Sequence, residues 1–136
     1  MPDFALLDQQ GHLVSLCDFT DQRGVVLLFF ASDWLPGDVA LLQGFRHAYG
    51  ALTEAGLQVL ALSSINWEML FHLAKRLDLP FPLLFDQCCR QATFYQAAWI
   101  PKFVTGRAVY VLDNQQRVVF ARSQASPEQV LAAFSG

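Results

Sequence analysis

Six consecutive apolar residues, Val25-Val26-Leu27-Leu28-Phe29-Phe30, leave this chain few folds to choose from. A strand with one wet face alternates apolar and polar residues, so an unbroken run of this length fits a central strand covered on both faces. A second apolar strand is read at Leu57 to Leu62. Between the two, Leu41, Phe45, Ala48, Tyr49 and Leu52 recur at helical spacing and Gly56 stands as a stop, which predicts a helix from about Pro36 to Ala55, loosened by Gly44 and Gly50. Strand, helix and strand in this order form a right-handed parallel crossover.

The flanking segments extend the pattern. Phe4 to Leu6 and His12 to Leu16 surround the turn signal Asp8-Gln9-Gln10-Gly11 and read as an N-terminal hairpin laid on the main sheet. Asn66 can cap a helix whose apolar face is Leu70, Phe71, Ala74 and Leu77, and Leu79-Pro80 ends it. An extended stretch, Phe81 to Phe85, precedes a helix expected to begin near Cys88, with Ala92, Tyr95 and Trp99 on one side. Ala108 to Leu112 and Val118 to Ala121, joined by Asp113-Asn114-Gln115-Gln116, predict an antiparallel hairpin. Ser126-Pro127-Glu128-Gln129 then opens a last helix with Val130, Leu131 and Phe134 on its buried side. Periodicity alone supports an α/β sandwich, and 136 residues are expected to form a single domain, 1–136.

Composition excludes several classes of function. With 54% hydrophobic and 15% charged residues, the chain can bury a sizeable core. A net charge of -3 with dispersed Lys and Arg offers no field for phosphates, so nucleic acid is not an expected partner. The longest apolar stretch, Gly24 to Ala31, falls far short of the roughly 20 residues that span a bilayer, so no membrane segment is expected. Met1-Pro2-Asp3 lacks a secretory start, which makes the cytoplasm the expected location. Cys17, Cys88 and Cys89 are too few for a disulfide framework or a zinc site, and no motif links His12, His47 and His72. Neither a metal nor a cofactor is expected.

Chemistry is expected where the first central strand meets its helix. Ser32-Asp33-Trp34-Leu35-Pro36-Gly37-Asp38 forms the loop at the carboxyl edge of the sheet, where ligands bind in open α/β sheets. Unpaired amides and the helix dipole stabilise an anion there, and a cysteine at such a place ionises easily.

Pro2-Asp3-Phe4, Asp8-Gln9-Gln10-Gly11, Val14-Ser15-Leu16, Val25 to Phe30, Pro36-Gly37, Gly44-Phe45-Arg46 and Leu79-Pro80-Phe81-Pro82-Leu83-Leu84 with Asp86 follow one another over nearly the whole chain. In order and spacing they resemble the bacterioferritin-comigratory, or PrxQ-like, peroxiredoxins of the alkyl hydroperoxide reductase/thiol-specific antioxidant family. The resemblance implies an α/β thioredoxin fold with an N-terminal β-hairpin and a peroxiredoxin-type insertion, its central mixed sheet flanked by helices. Thioredoxins also carry Trp, Pro and Gly at this turn, but six residues before Asp113 they keep a cis-proline, where this chain has the peroxiredoxin-like Arg107.

The family pattern places Thr or Ser, Pro, Gly and the peroxidatic Cys before the helix, and many members carry a resolving Cys five residues later. This chain reads Leu35, Pro36, Gly37, Asp38 and Gln43, so the hydroxyl, the nucleophile and that resolving thiol are absent. A carboxylate cannot accept oxygen from a peroxide as a sulfenic acid does. Asp38 facing Arg107 would reproduce the electrostatics of the thiolate, or Asp38 is simply a first-turn carboxylate, and the two roles can coexist.

Two readings of function follow. In the first, the chain is a degenerate peroxiredoxin in which Leu35, Pro36, Gly37, Asp38 and Arg107 form a pocket without catalysis. It then acts as a binding or scaffold module, with a protein partner expected at the Trp34 to Asp38 loop. In the second, it is an active thiol-dependent peroxidase or antioxidant oxidoreductase using Cys88 or Cys89, one of which would ionise near a helix start. Adjacent cysteines form a strained bridge, so structural thiols are the competing account. A monomer and a homodimer both fit the resemblance.

Overall fold

In the computed structural model, which describes residues 5–19, 24–30, 36–86, 108–122 and 125–135, the chain opens with an antiparallel hairpin of β1 (Ala5–Leu7) and β2 (Leu13–Ser15). Leu16 does not continue β2. The Asp18 carboxylate accepts the Ser15 amide at 3.0 Å and turns the chain into a 3-10 helix, Leu16–Phe19. The apolar run follows as β3 (Gly24–Phe29), then come α1 (Pro36–His47), α2 (Tyr49–Glu54), β4 (Leu57–Ser63), α3 (Trp67–Leu77) and β5 (Leu83–Phe85). The described chain closes with β6 (Ala108–Asp113), β7 (Val118–Arg122) and α4 (Pro127–Ser135).

The main sheet has the order β5-β4-β3-β6-β7. β3 pairs in parallel with β4 and antiparallel with β6, while β5 is parallel to β4 and β7 antiparallel to β6. This is the mixed α/β sheet that the crossover and the late hairpin predict. The pleat explains the apolar run. Val26, Leu28 and Phe30 point into one core with Leu42, Phe45, Leu52, Leu70, Leu73 and Val130 from the helices. Val25, Leu27 and Phe29 point into a second core with Val14, Leu16, Leu62, Leu84 and Tyr110. Tyr110 stands edge-on to Phe29, ring centroids 5.5 Å apart, and burial pushes its phenol up to about 12. It stays neutral at physiological pH.

The helix expected over Pro36 to Ala55 is two helices. Ala48 adopts φ -93° and ψ 2° and caps α2, between Gly44 and Gly50, which lower helix propensity on both sides of the break. Other ends follow from local chemistry. Asn66 accepts the Met69 amide at 2.9 Å, and α3 ends in a left-handed residue, Asp78, at φ 51°. Its wholly buried residues are Leu70 and Leu73. Ser126 and Gln129 exchange bonds at 3.2 and 2.9 Å in a capping box. The helix expected from Cys88 lies outside the described residues.

The β6–β7 turn is held by one side chain. Asp113 accepts the amides of Gln115 and Arg117 at 2.9 Å and the Arg117 Nε at 2.8 Å. Burial alone pushes this carboxyl up, but the hydrogen bonds from Arg117 and Gln115 and the guanidinium charge outweigh it, and the net position is below 3.8. A depressed folded-state value adds stability that is present above the unfolded value and is lost as pH falls through the folded one. Asp113→Ala is therefore expected to lower unfolding free energy by about 1–2 kcal/mol at pH 7, modest because Arg117 is exposed. Urea melts at pH 7 and at pH 2.5 check this: the gap between wild type and variant should narrow in acid, and a gap independent of pH would contradict the role given to the charge.

Candidate functional site

The carboxyl ends of β3, β4 and β5 lie along one edge of the sheet, since the three strands are parallel. At this edge α1 departs, starting at Pro36 with Gly37 and Asp38 in its first turn. Proline suits the first helical position because it has no amide to leave unpaired, and its fixed φ begins the helix. The three buried residues of α1 are Asp38, Leu42 and Phe45. Their i, i+4, i+7 spacing is the core-facing stripe of an amphipathic helix. A carboxylate thus occupies the end of a stripe that is otherwise apolar, and Asp38 is wholly buried. Burying a charge is costly unless it is paired, so such a residue marks a site of special chemistry or special packing.

Among the described residues, Ser63 and Asp86 are the other buried polar residues at this edge, one ending β4 and the other following β5. The Asp86 amide donates to the Ser63 carbonyl at 2.8 Å, which ties the two strand ends together. Neither was singled out as a site residue from the sequence. The available signal was a polar residue directly after an apolar strand, at the edge where ligands bind in such sheets. Ala108, the first residue of β6, pairs with Phe29, the last of β3, so β6 begins at the same edge.

Of the residues expected in the pocket, Pro36, Gly37 and Asp38 are adjacent in the first turn of α1. Trp34, Leu35 and Arg107 lie outside the described residues, as do Cys88 and Cys89. Gln43 is exposed on α1. His12, His47 and His72 are exposed on three different elements, and among the described residues no three His, Cys, Asp or Glu side chains form a metal-sized group. An open groove of about 360 Å3 lined by Arg46, His47, Asp78 and Pro80 lies at the opposite end of α1 from Asp38. There the Arg46 Nε donates to the Asp78 carbonyl at 3.0 Å, which joins the ends of α1 and α3.

A mixed sheet with this order, helices packed on it, and a helix starting at the carboxyl end of its middle strand define a thioredoxin-fold α/β protein. The structure superposes on the Mycobacterium tuberculosis peroxidoxin BcpB with a TM-score of 0.78 and 23% identity, over 99% of this chain and 91% of that one. It superposes on the Xanthomonas campestris bacterioferritin comigratory protein with a TM-score of 0.83 and 21% identity, over 97% and 90%.

The sequence is more specific. The AhpC/TSA family model matches residues 1–121, and the chain belongs to that family, as a peroxiredoxin of the Q/Bcp type. It is 33% identical to the chloroplastic peroxiredoxin Q of Sedum lineare, over 94% of this chain and 69% of that protein. Identity to the Triticum aestivum peroxiredoxin Q is also 33%, over 94% of this chain and 59% of that protein. With the Escherichia coli K12 peroxiredoxin Bcp it is 38%, over 66% and 59%. The chain thus matches between 59% and 69% of the length of these curated relatives. No helix among the described residues is long and apolar enough to cross a membrane.

Proposed function

We propose that this chain is a peroxiredoxin-family domain, one unit over residues 1–136, that has lost thiol peroxidase activity and serves as a non-catalytic binding or scaffold module. On this reading it works in a reducing compartment such as the cytoplasm. Asp38 stands where the family keeps its peroxidatic cysteine, and Leu35 where it keeps Thr or Ser. The observation that carries the reading is the wholly buried Asp38 in the first turn of α1, at the carboxyl edge of the sheet.

Reduction of a peroxide needs a nucleophile that breaks the O–O bond, keeps one oxygen and later yields it to a thiol. Sulfur does this as a sulfenic acid. A carboxylate oxygen can neither hold the transferred oxygen nor return it to a reductant in that cycle. What a buried carboxylate at a helix start can do is balance charge, since the amides and dipole of the first turn favour an anion. Pocket electrostatics can then survive without the reaction, leaving the Trp34 to Asp38 loop as a contact surface for a protein partner.

Peroxide consumption by the reduced protein tests this. Wild type is expected to consume hydrogen peroxide no faster than an equal concentration of a free thiol. A second-order rate roughly a hundredfold or more above that, the scale one preorganised set of donors supplies, would overturn the proposal. Repeating the assay after alkylation locates such a rate: if it vanishes, a thiol such as Cys88 or Cys89 is responsible, and if it persists, the premise about oxygen at position 38 is wrong.

A further inference from the structure

Among the described residues, β5 forms one edge of the main sheet and β7 the other. An edge strand presents unpaired amides and carbonyls to any other extended chain, and proteins protect such edges by covering them. β5 is short and apolar, yet Leu83 and Leu84 have no exposed surface. The tip of the β1–β2 hairpin lies against it.

Among the described residues, three contacts hold the tip there. Asp8 forms an isolated antiparallel bridge with Leu84. The Gln9 side-chain Oε1 accepts the Leu83 amide at 2.9 Å, so a side chain does the work of a neighbouring strand at that rung. From α3, the Trp67 indole Nε1 donates to the Asp8 carbonyl at 2.9 Å. The tip is itself stiff, because the Asp8 carboxylate accepts the amides of Gln10 and His12 at 2.9 and 2.8 Å and Gly11 takes φ 84°, a conformation glycine adopts without strain. Behind it, Val14 of β2 and Leu16 of the 3-10 helix that follows sit in the second core, while Leu7 and Leu13 stay exposed.

We infer that Gln9 and Trp67 latch the hairpin over β5 and that the latch keeps this edge from pairing with a second copy of the chain. The bridge shows which kind of segment the edge accepts: an extended strand running antiparallel to β5. With the latch open, every copy offers the same apolar edge, Leu83–Phe85, uncovered by any other described strand, and two such edges can pair antiparallel about a twofold axis. Among the described residues the tip is fixed by the bridge and two hydrogen bonds, so the hairpin can let go locally, whereas β3 and β4 open only with the whole fold.

The test is the double variant Gln9→Ala with Trp67→Phe, which removes both latch bonds and keeps an aromatic ring stacked near Phe71. Two readouts are taken together, amide hydrogen exchange and sedimentation velocity over a range of protein concentrations. Exchange at Leu83 is expected to speed up by roughly tenfold or more, as the loss of a hydrogen bond at an opening edge allows. Exchange at Val26 should not change, and a dimer absent from wild type should grow with concentration. Unchanged exchange at Leu83 would overturn the latch. Faster exchange without self-association at any concentration would overturn its guarding role, as would equal self-association of the wild type. If Val26 also loses protection, Gln9→Ala alone leaves the indole bond in place and is judged by the same two readouts.

Discussion

Asp38→Cys combined with Leu35→Thr is expected to give a protein that reduces hydrogen peroxide roughly a hundredfold or more faster than a free thiol, the gain one set of preorganised donors provides. The new sulfur would sit in the first turn of α1, where free amides and the helix dipole favour the thiolate. The thiolate attacks one peroxide oxygen, the O–O bond breaks, the second oxygen leaves as hydroxide and takes a proton, and sulfur keeps the first as sulfenic acid. Gln43 offers no thiol to resolve it. One equivalent of peroxide should therefore be consumed quickly and turnover should wait for added thiol, which stopped-flow kinetics and mass spectrometry of the sulfenic acid can follow. Asp38→Ser with Leu35→Thr is the control, since it changes size and polarity alike without supplying sulfur.

The burial of Asp38 makes this a demanding test. Peroxide must reach a position that has no exposed surface in the folded chain. A well-folded double variant that reacts no faster than a free thiol would mean that the chain has closed over position 38. Asp38 would then be a packing and charge-balancing residue only, and the loop before it would have to make the proposed contact alone.

How much of this was legible in the sequence depended on the range of the forces involved. The middle strand was legible at Val25 to Phe30 because covering both faces needs apolar residues at every position. The caps at Asn66 and Ser126 were legible because they depend on residues three apart. The break at Ala48 was not, since Gly44 and Gly50 lower helix propensity without saying where the path bends. The hairpin was predicted as a hairpin, but its latch joins Asp8 to Trp67 and Gln9 to Leu83, 59 and 74 residues apart, and no local pattern encodes such pairs.

The site divides in the same way. That Asp38 opens a helix at the carboxyl edge could be read from Pro36, Gly37 and the preceding apolar run. Its complete burial could not, because the i, i+4, i+7 alignment with Leu42 and Phe45 identifies a stripe only once the helix is known to face the sheet with that side. Ser63 and Asp86 carry no local signal of a site beyond a place after an apolar run, although Asp86 belongs to the run of residues that carries the resemblance. They reach the same edge only when β4 and β5 are placed side by side with β3.

That stripe also makes the largest stability prediction. Phe45 is 1% exposed and packs in the core formed by Val26, Leu28, Leu42, Leu52 and Leu73. Truncation to alanine loses the transfer energy of the ring and leaves a cavity that a sheet-backed core cannot close, so Phe45→Ala is expected to cost about 3–5 kcal/mol. Against a total of roughly 5–15 kcal/mol for a domain, that brings the chain near its unfolding threshold. The neighbouring Arg46→Ala should cost only about 0.5–1.5 kcal/mol, because it removes one bond to the Asp78 carbonyl and an ion pair at 3.7 Å to an exposed carboxylate. Urea unfolding of the two variants decides between this packing and a looser one. If the phenylalanine and arginine variants lost similar amounts, α1 would not be seated on the sheet by the face that also carries Asp38, and the burial on which the functional proposal rests would have to be abandoned.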